Sequence, residues 1–155
     1  MKARTILLAL VVCLAGMTAA YAADDPHMGT WKLNEAKSKL AAGMPKNTTV
    51  VYEAAGDQVK ITVDGVDGEG KPGHSEWTGK FDGKDYAVTG DATADMRSYK
   101  IIDPHTLELT NKKGGKAVMS AVVVVAADGK TRTVTAHGAN AAGKKVTSTS
   151  VYDKQ

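Results

Sequence analysis

From residue 46 onward the chain runs in short stretches of alternating apolar and polar residues, each closed by glycine or by a turn pair. This punctuated alternation restricts the fold more than any other feature. In "QVKITVD", Val59, Ile61 and Val63 alternate with Lys60, Thr62 and Asp64, the pattern of a strand with one dry and one wet face. "NTTVVYEA", "HSEWTGKF", "KDYAVTG", "DMRSYKII", "TLELTNKK", "KAVMSAVVVVA", "TRTVTAH" and "KKVTSTSVYDK" read likewise, and "GTWKL" precedes them. Asp82-Gly83, Gly114-Gly115 and Asp128-Gly129 suit hairpin corners that need positive φ. The result is about ten strands at the spacing of an antiparallel barrel or sandwich. Successive hairpins close most simply into an up-and-down barrel, which leaves no bare sheet edge. The expected fold is therefore all-β: an antiparallel up-and-down barrel of about 8–10 strands.

One segment breaks the pattern. In "NEAKSKLAAGMP", Asn34 suits an N-cap, Ala36 and Leu40 lie four apart, Gly43 suits the C′ position and Pro45 ends the run. This predicts one short helix of about two turns after the first strand.

Ahead of it, "MKARTILLALVVCLAGMTAAYA" has the basic start, apolar run and Ala20-Tyr21-Ala22 ending of a secretory signal peptide. The expected organisation is a removed signal over 1–22 and a single barrel domain over 23–155, in the periplasm or secreted. The apolar run is too short for a permanent membrane span, so the mature chain is expected to have no transmembrane segment. Val11 and Val12 before Cys13 argue against a lipid attachment site. Cys13 is the one cysteine, so the mature domain is expected to hold together by packing and sheet hydrogen bonds rather than by disulfides. The net charge of +3 includes Lys2 and Arg4, and the remaining charges of both signs are interspersed. That distribution gives no clustered basic face for nucleic acid.

Gly29-Thr30-Trp31, in the first strand of such a barrel, resembles the G-x-W signature of the calycins, the lipocalin and fatty-acid-binding-protein group. The resemblance implies that Gly29 and Trp31 are structural, with the indole plugging the closed end. "VYDKQ" resembles the final strand of the fatty-acid-binding proteins. "GTWKLNEAKSK", "ITVDGVDGEGKPGH", "FDGKDYAVTG" and "VYDK" together resemble a family of small exported bacterial lipocalin-like proteins of unassigned activity. Ser150 stands where the fatty-acid-binding proteins carry their ligand arginine, and the lipocalins' last-strand arginine has no obvious counterpart.

Several residues invite a functional reading. Arg97, Tyr99 and Ile101 share a parity opposite to Lys100. If lysine marks the wet face, Arg97 and Tyr99 point inward, and Arg97 either holds a ligand carboxylate or sits at a strand end with its charge in water. Arg132, in register with Val134 and Ala136, has the same two readings. Trp77 and Phe81 share an inward face; the facing of Tyr52, Tyr86 and Tyr152 stays open. The ligand-binding candidates are Trp77, Phe81, Arg97 and Tyr99. Small Ala, Ser, Thr and Val side chains on the strands suit either a cavity or a slim filled barrel.

No metal is expected, because His27, His74, His105 and His137 lack ligand spacing. The acids Asp64, Asp67 and Glu69 do not meet the EF-hand pattern. No nucleophile–base motif is readable, so the expectation is a non-enzymatic protein without a cofactor. It would bind a small hydrophobic or amphipathic ligand. The alternative is a filled barrel that binds another protein of the cell envelope. In "AVVVVAA" (121–127) one valine pair must face outward, and the short helix or the N-terminal lead-in is expected to cover it.

Overall fold

The computed structural model describes residues 25–155. The expected signal peptide over 1–22, with Cys13, lies outside them. The described chain forms a closed antiparallel barrel of ten strands, each paired with its neighbours in sequence, with the first and last strands completing the circle. In order they are β1 (Gly29–Leu33), β2 (Lys46–Ala55), β3 (Gln58–Val66), β4 (Pro72–Gly79), β5 (Tyr86–Thr89), β6 (Met96–Asp103), β7 (Thr106–Lys113), β8 (Lys116–Val125), β9 (Thr131–Ala139) and β10 (Lys145–Lys154). This is the architecture expected from the alternation.

The dry faces are the inward ones. Val59, Ile61 and Val63 on β3, Leu107 and Leu109 on β7, and Ala121, Val123 and Val125 on β8 are all buried. Their removal from water is the main favourable contribution to folding, at roughly 25 cal/mol per Å² of apolar area. Closure runs through β1: Trp31 pairs with Lys154 of β10 on one side and with Val50 of β2 on the other. Gly29 has a φ of +105°, and a Cβ there would lie 3.2 Å from the Lys154 side chain. The glycine of the G-x-W stretch therefore provides both the backbone angle and the space for β10.

The helical segment is shorter than its sequence suggests. Asn34 does cap it, accepting a hydrogen bond from the Lys37 amide through Oδ1 at 3.2 Å. The helix is a single 3₁₀ turn over Glu35–Lys37. At Ser38 the backbone becomes extended, and Lys39 exchanges hydrogen bonds with Thr149 of β10, 2.8 and 2.9 Å. Leu40 and Ala42 are thus not helical, because pairing with β10 satisfies more backbone groups there than a second isolated turn would. Ala41 continues the seam, its amide donating to Ser148 Oγ at 3.1 Å.

The same finding corrects the expected cover of the valine run. The 3₁₀ turn packs against β10. Val122 and Val124 face outward and are 41% and 43% exposed.

Candidate functional site

Two sectors of the wall contribute very different side chains to the interior. From β2 to β6 come large aromatics: Tyr52, Trp77 and Tyr99, joined by Phe81 just beyond β4, all buried. Trp77 and Phe81 stack with centroids 6.2 Å apart, Tyr99 meets Trp77 edge-on at 4.8 Å, and Tyr52 touches both Phe81 and Tyr99 at 6.4 Å. Such offset and edge-on pairs add to plain area burial. Tyr86 completes the group edge-on to Trp77 at 5.7 Å. This pair depends on Gly79, where a Cβ would come within 2.6 Å of both rings. Burial pushes the Tyr99 hydroxyl well above its usual range, so it stays protonated.

Three of the four candidate ligand residues, Trp77, Phe81 and Tyr99, are therefore brought together. The fourth, Arg97, also points inward and is 6% exposed, as parity with Tyr99 requires. Its charge is answered within the protein. Nη2 lies 2.9 Å from Asp91 Oδ2, and Nε donates to Asn111 Oδ1 at 2.7 Å. Its carbonyl accepts from Trp77 Nε1 at 2.9 Å, locking the indole to β6. Asp91 lies in the β5–β6 turn, where its Oδ1 also accepts from Thr93. Nothing in the spacing of the sequence announced this partnership.

From β8 to β10 the inward side chains are small, and they align in registered rows. Met119, Gly138 and Val146 form the row nearest the β9–β10 turn. Ala121, Ala136 and Ser148 come next, then Val123, Val134 and Ser150, then Val125, Arg132 and Tyr152. Val134, Ala136 and Ser150 face inward and yet are only partly buried, as are Met119 and Leu33. Water therefore reaches this lane. Near the β9–β10 turn an open recess of about 550 Å³ is lined from both faces of the wall, by Met119, Gly138 and Val146 and equally by the outward-facing Ser120, His137 and Thr147.

The lane ends at Arg132, which is 2% exposed. Its guanidinium carbon stands 4.9, 4.9 and 4.7 Å from the ring centroids of Trp31, Tyr52 and Tyr152. Among the described residues no carboxylate pairs with it, and its Nε and Nη1 have no hydrogen-bond partner. Lys154 adds a second cation 5.1 Å from the Trp31 ring. Lys154 of β10 and Arg132 of β9 thus both stand over the Trp31 ring, a juxtaposition not legible without knowing which strands adjoin β1.

Fold and interior together define a small closed antiparallel barrel, aromatic on one side and open along a lane of small residues on the other. No protein-family model matches the sequence, and no curated protein matches it.

Proposed function

We propose that this is an exported, non-enzymatic, lipocalin-like barrel that binds a small, partly apolar molecule along the β8–β10 lane. The observation that carries the reading is the incomplete burial of Val134 and Ala136, apolar side chains that face inward. An apolar interior surface left in contact with water favours whatever apolar group can cover it. Ser150 borders the lane and supplies a hydroxyl for orientation, while Trp77 and Tyr99 back it from the opposite sector. Arg97 is not the ligand anchor in this reading, because Asp91 already meets its charge.

Nile red, a neutral apolar dye, tests the reading. Its emission should shift to the blue with the native protein, and Ala136→Trp, which fills the lane, should abolish the shift. Retention of the shift in Ala136→Trp would contradict lane binding.

The second reading, a protein-interaction module of the envelope, draws on the outer face. Ile101, Ile102, Val118, Val122 and Val124 are all exposed there. If Val122→Asp with Val124→Asp removes the dye signal and Ala136→Trp does not, this reading replaces the first.

A further inference from the structure

Among the described residues, five side-chain polar atoms toward the Trp31 end are shielded from water and unpaired: Nδ1 and Nε2 of His27, Nδ1 of His105, and Nε and Nη1 of Arg132. They share one neighbourhood. The Trp31 indole donates to the His27 carbonyl at 2.9 Å while its ring lies against the Arg132 guanidinium. His105 is tied in through β8: its carbonyl accepts from the Val125 amide at 2.8 Å, and Val125 is the cross-strand partner of Arg132.

A buried cation is costly unless an opposite charge or hydrogen-bond acceptors meet it. The two acids nearby, Asp25 and Asp103, cap the backbone amides of the two histidines, and neither pairs with Arg132. Asp25 Oδ1 accepts from the His27 amide at 2.9 Å, and Asp103 Oδ1 accepts from the His105 amide at 2.8 Å. The three rings around Arg132 offer π-faces, which attract the charge but leave Nε and Nη1 unanswered. Lys154, donating to the Pro26 carbonyl at 3.3 Å, adds positive charge.

We infer that this end of the barrel is a site for a small oxyanion, held by Arg132 with His27 and His105 as further donors. An oxyanion supplies the acceptor oxygens that a guanidinium fork and imidazole N–H groups match. Binding is proton-linked. Burial holds His27 down to about 4, reinforced by Arg132 and His105 and opposed by Asp25 and Asp103. An adjacent anion raises that value, so the complex takes up a proton and tightens as pH falls. The site does not need the lane: a free anion fills it whether or not an apolar ligand enters from the other side.

The test is a ¹⁵N NMR titration of the purified protein, following the Arg132 Nε–H and the His27 imidazole. Sodium sulfate, acetate and decanoate are added in turn at constant ionic strength. The expected result is a saturable shift at Arg132, a rise in the His27 midpoint, and affinity that increases by up to about tenfold per pH unit between pH 7 and 5. Equal responses to sulfate and acetate identify a free anion. Saturation by decanoate at far lower concentration, with shifts at Ala136 and Ser150, identifies the head of an amphiphile. Absence of a saturable shift at Arg132 with all three, or a sulfate-grown crystal holding only water on its Nε, overturns the site. His27→Phe should keep anion binding and lose its pH dependence; retained dependence would remove His27 from the site.

Discussion

The guanidinium of Arg132 on β9 stands over the indole of Trp31 on β1, 4.9 Å from its centroid. The two strands are not neighbours; β10 lies between them. The contact therefore spans the closure of the barrel. Trp31 is fully buried, and its Nε1 is tied to the His27 carbonyl. Replacing it with alanine removes the ring from under a buried charge and leaves a void. Trp31→Ala should cost about 3–5 kcal/mol, measured by urea unfolding. A loss below about 1 kcal/mol would mean that the indole does not anchor the closure.

Arg97 and Asp91 form the one ion pair among the described residues in which both side chains are largely shielded. Asp91→Ala leaves the guanidinium with Asn111 alone and should cost about 3 kcal/mol. Adding Arg97→Met should restore much of that loss, because the stranded charge is gone. A double-mutant cycle by denaturant unfolding measures this, and additive losses would contradict the pairing.

Gly79 is required by the rings on either side of it. Gly79→Ala places a methyl group against Trp77 and Tyr86 and should cost about 1–3 kcal/mol through overpacking. Near-ultraviolet circular dichroism should change with it, since the edge-on pair is displaced. Unaltered melting and spectrum would show that the wall yields more easily than this geometry implies.

His27 makes stability depend on pH. Its value in the folded protein, about 4, lies below the ordinary 6.5, so the unfolded chain takes up the proton first. Its contribution is complete above about pH 6.5 and is lost as pH falls toward 4, on the order of 3 kcal/mol in all. In chloride buffers without oxyanions, unfolding free energies between pH 7 and 4 should show this slope, and His27→Phe should flatten it.

Much of the barrel was legible in the sequence because period-two alternation and glycine corners are local signals. Parity opposite to Lys100 places Arg97 and Tyr99 inward, one of the two readings open for Arg97, and both are buried. What escaped depended on contacts distant in sequence. Asn34 signalled a helix correctly, but the pairing of Lys39 with Thr149 ended it after one turn. Phe81 does join the core beside Trp77, as their shared face predicts, and only the end of β4 at Gly79 was not legible. The neutralisation of Arg97 by Asp91 and the aromatic cage of Arg132 needed the register of strands that no local pattern encodes. The outward facing of Val122 and Val124 was one of two equal parities.

The most direct test of the ligand lane uses single cysteines, introduced in protein lacking residues 1–22 and so lacking Cys13. Ala136→Cys and Val123→Cys both point inward, but only the first position is reached by water. A neutral maleimide should label Ala136→Cys readily, Nile red should protect it, and Val123→Cys should stay unreactive. Ala136→Cys as inert as Val123→Cys, or labelling indifferent to the dye, would contradict a solvent-open binding lane in this barrel.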